Sequence, residues 1–208
     1  AAAHYSVCSV LETGSLVCWG SNEAGQLGQG HIEGTSSGPT EALPETDVGG
    51  PVLDVVAGGR HYCALLESQQ VKCWGFNLYG QLGAGHNSSL GWLPDHMGES
   101  LKSVDVGSGQ IVQIVAGEEH SCALMDRVGG REAICWGRND EGQLGVGDTI
   151  NRFGDEDLQA VELQQEPSQL ACGSHHCCAL GGGRIYCWGA NSRGQLGLGH
   201  TASVFNAT

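Results

Sequence analysis

The sequence predicts an all-β fold of repeated propeller blades, and three observations carry that prediction. A thirteen-residue segment recurs four times, at residues 18–30, 73–85, 135–147 and 187–199. Its tryptophans, Trp19, Trp74, Trp136 and Trp188, fall 55, 62 and 52 residues apart. Self-similarity near 50 residues marks propellers or solenoids, whose units bury their faces against their neighbours. Glycine supplies 35 of 208 residues against only 5 prolines, placed in register with the repeat. That pattern suits tight turns between short strands rather than a flexible linker.

Every copy obeys C-W-G-x-N-x-x-G-Q-L-G-x-G, nine fixed positions of thirteen. A second shared segment precedes it, Val55 to Leu66 in the second unit, with counterparts at 114–125 and 170–181. In the first unit Ser6 stands where the others carry His61, His120 and His176. The β-branched run at 52–57 stops at Gly58 and reads as a strand. Residues 61–66 form a second strand, 67–70 a polar turn and 71–74 a third strand, so the last two make a hairpin. A weaker fourth strand is expected near 103–106 and 160–163. No long segment has helical periodicity. Three or four short antiparallel strands per unit of about 50 residues make a propeller blade.

Blades of this length ending in W-G-x-N-x-x-G-Q-L-G resemble the repeat of the regulator-of-chromosome-condensation (RCC1) family, and the resemblance spans residues 1–208. A WD-type blade is shorter and ends in Trp-Asp, and a kelch blade opens with paired glycines that are no fixed part of this repeat. The resemblance implies a seven-bladed ring. About four blades are present, so the chain is expected to be part of a larger protein, or of a ring completed by other sequence.

The repeated side chains read as scaffold. Trp19, Trp74, Trp136 and Trp188 are expected to pack between blades, where a large ring is strongly stabilising. Leu27, Leu82, Leu144 and Leu196 are expected to plug the same core. Asn22, Gln26 and their counterparts are expected to tie the loop backbone through their amides. One histidine per blade suggests a structural hydrogen bond, because a catalytic group needs a local constellation that does not recur. No phosphate-binding loop is present, and no catalytic residue or cofactor is expected.

Eight of the ten cysteines are paired by the repeat itself: Cys8 with Cys18, Cys63 with Cys73, Cys122 with Cys135, and Cys178 with Cys187. Each pair sits on the two strands of one hairpin, where a disulfide bridges facing residues if the turn sets the register. The turn length differs among the copies. Reduced, buried cysteine is the alternative reading. Cys172 and Cys177 are extra, and admit a fifth disulfide, two free thiols or, with nearby histidines, a zinc site. Paired cysteines indicate an oxidising compartment. The N-glycosylation sequon at Asn87 agrees with that, as does another at Asn206.

Charge narrows the partners. There are 23 acidic against 9 basic residues, a net charge of −14. Nucleic acid and anionic membrane attract basic surfaces, so neither is an expected partner, and no apolar run is long enough to insert into a membrane. A protein partner with a basic surface fits better. The distinctive loops are residues 87–102, 126–132 and 151–162, the last containing Asp155, Glu156 and Asp157. That acidic cluster matches no EF-hand spacing and reads as a solvated face. The function expected is a secreted or lumenal, non-catalytic interaction or scaffold module, part of a larger protein or assembly. Two alternatives stand beside it. Family resemblance implies a guanine-nucleotide exchange factor for a small GTPase, and the same fold serves protein inhibitors of extracellular enzymes.

Overall fold

The computed structural model describes residues 1–35, 43–155 and 158–207. Its strands form four small antiparallel sheets, one per repeat. The first pairs β1 (Ser6–Val10) with β2 (Leu16–Gly20), and Ala2 bridges to Val7 at its inner side. The second holds β3 (Val52–Ala57), β4 (His61–Leu66) and β5 (Val71–Gly75). The third holds β6 (Gln110–Ala116), β7 (His120–Arg127) and β8 (Gly130–Gly137). The fourth holds β9 (Pro167–Cys172), β10 (His176–Gly181) and β11 (Arg184–Gly189). In each three-stranded sheet the second strand is central.

The core lies between blades rather than within them. One cluster joins Leu27 and Leu16 of the first blade to Tyr62, Leu66 and Trp74 of the second. Another joins Leu82 and Val71 to Ile114, Met125 and Trp136. A third joins Leu144 and Leu124 to Leu170, Tyr186 and Trp188. The central strands β4 and β7 therefore have a neighbouring blade on both faces. β4 is buried at all six positions, and its sequence HYCALL accordingly lacks the alternation of a half-solvated strand.

Hairpin geometry resolves the register question. Leu11 and Leu66 close three-residue turns onto Ser15 and Gln70, with left-handed residues at Gly14 and Gln69. The third and fourth hairpins close with two residues, between Arg127 and Gly130 and between Gly181 and Arg184. In the fourth these are Gly182 and Gly183, both at positive φ, as a type I′ turn requires. Different turns thus give the same cross-strand pairing.

Two expectations are corrected. The fourth strand is reduced to isolated bridges, Lys72 to Ser103 and Ile134 to Ala160. One further backbone bond follows each, from Val104 to Val71 and from Val161 to Ala133, before the chain leaves to begin the next blade. Residues 126–132 are mostly not a loop, because β7 and β8 extend to a tight turn at Val128 and Gly129. Of the acidic cluster, Asp155 is exposed, while Glu156 and Asp157 lie outside the described residues, as does Thr208 of the second sequon.

Candidate functional site

The repeated loop after each outer strand is built by one asparagine. Asn139 Nδ2 donates to the carbonyls of Asp148 and Ile150 at 3.0 and 3.1 Å, and its Oδ1 accepts from Leu144 N at 3.0 Å. Asn22, Asn77 and Asn191 make the same three contacts nine, eleven and five residues downstream. The glutamine Oε1 accepts from the backbone two residues earlier, as Gln143 does from Glu141 N at 2.9 Å. Asn139→Ala leaves the buried Leu144 N–H without its acceptor, at about 1 to 3 kcal/mol, and removes two part-buried bonds to Asp148 O and Ile150 O, worth about 1 kcal/mol each. We expect a loss of about 3 kcal/mol or more in a urea titration, against less than about 0.5 kcal/mol for Ser192→Ala, an exposed position of the equivalent loop.

The tryptophans fasten blade to blade. The indole N–H donates to the glutamine carbonyl of the preceding blade: Trp74 to Gln26 at 2.9 Å, Trp136 to Gln81 at 3.0 Å and Trp188 to Gln143 at 2.9 Å. The ring covers the glycine two residues beyond that glutamine. A Cβ on Gly145 would lie 2.8 Å from Trp188 Cδ1, so a side chain there would unseat the ring. Trp19 is half-buried.

A second inter-blade series runs through the histidine position. Ser6 Oγ lies 2.9 Å from Tyr62 Oη, His61 Nε2 lies 2.9 Å from Ser121 Oγ, and His120 Nε2 lies 3.0 Å from Cys177 Sγ. In each case the residue at the histidine position meets the one following that position in the next blade. A short serine faces a long tyrosine and a long histidine faces a short serine, so the pair spans a constant gap. Ser6 is therefore a matched member of the series. Ser121 Oγ donates its hydrogen to Gln81 O at 3.1 Å, so His61 must be the donor through Nε2–H. Each ring packs on the glycine three residues earlier, where a Cβ on Gly117 would lie 2.0 Å from His120 Cε1.

Burial pushes His61 down to about 4. It pushes His120 to about 3, with smaller contributions from His61, His175 and His176. Both are neutral in the folded protein, whereas an unfolded histidine takes up a proton near pH 6.5. Between about pH 6.5 and 4 the unfolded chain binds more protons, so stability is retained above this window and lost as pH falls through it. The slope is about 1.4 kcal/mol per pH unit for each histidine. Urea midpoints measured from pH 7.5 to 4.5 should fall accordingly, and less steeply in His61→Gln.

All ten cysteines pair. Sulfur–sulfur distances are 2.02 Å for Cys8–Cys18, 2.10 Å for Cys63–Cys73, 2.10 Å for Cys122–Cys135 and 2.04 Å for Cys178–Cys187. These partners stand directly opposite each other in the ladders. Cys172 and Cys177 form the fifth bond at 1.98 Å, joining β9 to β10.

With these groups engaged in the scaffold, the unlike residues remain on the rim formed by the turns before the central strands and the loops after the outer ones. Arg60 stacks over Phe76 at 5.4 Å and Arg138 over Tyr79 at 4.8 Å. Arg138 also reaches Glu119 at 2.5 Å and Asp140 at 2.6 Å. Ser174 Oγ lies 2.9 Å from His175 Nδ1 and also donates to Glu118, whose other oxygen is 3.9 Å from His4. Asn87 is exposed on the loop after the second outer strand.

Residues 87–102 act differently from an open recognition loop. Gly91 O accepts from Gly30 N at 3.0 Å, and Gly98 N donates to Asp47 O at 2.9 Å, so this segment buttresses the first blade. Phe153 and Phe205 occupy the equivalent place on later blades, their carbonyls accepting from Gly85 and Gly147 at 2.8 and 2.9 Å. Sequence reasoning missed this series because Gly91, Phe153 and Phe205, each sixteen residues past the glycine of C-W-G, share a spacing but no residue type.

The family model of the regulator of chromosome condensation (RCC1) repeat matches residues 13–65, 70–124, 132–180 and 182–206, and a second model of the same repeat matches 52–81 and 111–143. Over 201 residues the chain is 37% identical to the ultraviolet-B receptor UVR8 of Arabidopsis thaliana, covering 96% of this chain and 42% of that one. It is 32% identical over 206 residues to the probable E3 ubiquitin-protein ligase HERC4 of Homo sapiens, covering 98% of this chain and 18% of that one. Among solved structures it is similar to human WBSCR16, with a TM-score of 0.77 at 21% identity, covering 100% of this chain and 51% of that one. It is also similar to Prp20p from Saccharomyces cerevisiae, with a TM-score of 0.74 at 21% identity, covering 99% of this chain and 48% of that one. The structural likenesses concern the fold alone, and the chain spans half or less of each of these sequence relatives. A signature repeated on four sheets, with matches over most of the length, shows that the chain belongs to the RCC1 repeat family.

Proposed function

We propose that this arc of blades is a non-catalytic protein-interaction module, secreted or lumenal, within a larger protein or assembly. The observation that carries this reading is the consumption of the repeated polar groups by the scaffold. The asparagine amides, tryptophan N–H groups and buried histidines bond within or between blades. Specificity then falls to the unlike residues of the rim, as is usual where loops sit on a rigid frame. The net charge of −14 favours a basic protein surface over nucleic acid. Among proteins similar in fold, yeast RCC1 is solved bound to Kap60 and Prp20p binds Gsp1p and histones, which supports the coarse reading. Disulfides on every blade favour an oxidising compartment over the reducing address of an exchange factor.

Carboxylate-to-amine cross-linking of the full-length protein in its native medium tests this. The expected result joins Glu118, Glu119 or Asp140 to lysines of a basic protein, with the cross-links lost in Glu118→Lys/Glu119→Lys. Accelerated nucleotide release from a small GTPase by the disulfide-free chain would overturn it. Glycosylation gives a separate check: passage through a eukaryotic secretory pathway should add a glycosidase-sensitive mass that Asn87→Gln removes.

A further inference from the structure

We propose that Cys172, Cys177 and His120 form, once the Cys172–Cys177 bond is reduced, a buried site for a thiophilic divalent cation such as Zn²⁺. Three observations support this. The donor atoms of the three residues lie within 4.8 Å of one another, and His120 is fully buried with Nε2 aimed at Cys177 Sγ. Ligands of one tetrahedral zinc stand about 3.4 to 3.8 Å apart, given metal–sulfur bonds of ~2.3 Å and metal–nitrogen bonds of ~2.0 Å. Opening the disulfide and turning the two Cβ–Sγ bonds apart reaches that spacing. Water takes the fourth position. Alternatively Cys122 Sγ, 3.8 Å from Cys177 Sγ and 3.9 Å from Cys172 Sγ, takes it if its own bond to Cys135 also opens.

The scaffold does not depend on this bond. The same ladder position is held by Ala57 opposite Tyr62 in the second blade and by Ala116 opposite Ser121 in the third. Access is also present. Cys172 is half-buried and lines the open depression between inner strands, with Ala57, Val115 and Ala171, whereas Cys122 and Cys135 are shielded. With a phosphine as reductant, the S–S bond gains two electrons and two protons while phosphine and water become phosphine oxide. Cation binding then releases the thiol protons.

The test uses the full-length protein, treated with graded phosphine under native conditions and freed of it. Alkylation and peptide mapping count the open thiols, circular dichroism follows the fold, and anaerobic Cd²⁺ titration reads the thiolate charge-transfer band. The expected result is a folded chain with Cys172 and Cys177 open, binding one Cd²⁺. His120→Gln should weaken binding by about 100-fold, and Cys172→Ser/Cys177→Ser should abolish the band. His61→Gln, the matching position without thiols, should bind like the wild type. Four results would overturn the proposal: unfolding on opening this bond, no band in the reduced folded chain, an unchanged band in the double serine variant, or wild-type affinity in His120→Gln.

Discussion

Complete reduction of the five disulfides is expected to leave the chain unfolded at 37 °C. The four repeated bonds close chain separations of 9 to 13 residues. In the chain-entropy description a loop of that size contributes about 2 to 3 kcal/mol. A domain has only about 5 to 15 kcal/mol in hand, and losing all four closures removes about 8 to 12 kcal/mol, enough to consume most or all of it. Single losses should be graded. Cys63→Ala/Cys73→Ala should cost about 2 to 4 kcal/mol, because both sulfurs are buried at the interface that also holds Ser121. Cys172→Ala/Cys177→Ala should cost less, because its partners are only five residues apart and two other blades hold the same position without a bond. Urea titrations of each variant, followed by tryptophan fluorescence, check the order.

Trp136→Ala is the most damaging single substitution expected. The ring is fully buried between the second and third blades and shares a cluster with Leu82, Ile114 and Met125. Truncating a buried aromatic costs about 3 to 5 kcal/mol through lost transfer energy and the cavity left behind. The change also strips the donor from Gln81 O, which Ser121 Oγ still reaches. Trp136→Phe keeps most of the packing and loses the hydrogen bond, so it should cost about 1 to 3 kcal/mol. Trp19→Ala, at the half-buried counterpart, should cost less than half of Trp136→Ala. If the two alanine variants cost the same, the fastening role between blades fails.

The parts legible in the sequence are those that repeat. Strands at 52–57 and 61–66 lie where the β-branched run and its glycine stop placed them. The cysteine pairs follow from two fixed positions on one hairpin. What the repeat could not reveal is pairing between blades. Ser6 reads as a departure from the histidine pattern until Tyr62, 56 residues away, is seen to supply the missing length. Gly91, Phe153 and Phe205 share one place in space at a constant sixteen residues past the glycine of C-W-G, but the residue type changes, so no motif exposes them. The weak fourth strand failed for a different reason. Its apolar residues, Val104 and Val161, are buried, yet each ladder ends after one bridge because the chain must cross to the next blade. For the rim, the sequence identified acidic and variable segments, but not the stacking of Arg60 on Phe76 or Arg138 on Tyr79.

The measurement that tests the central claim most directly is the mass of the native protein after alkylation without reduction, followed by disulfide mapping. The prediction is no alkylated cysteine and peptides joining Cys8 to Cys18, Cys63 to Cys73, Cys122 to Cys135, and Cys178 to Cys187. Ten alkylated thiols on a folded chain would contradict both the covalent blades and the oxidising address, and would favour a cytosolic exchange factor instead.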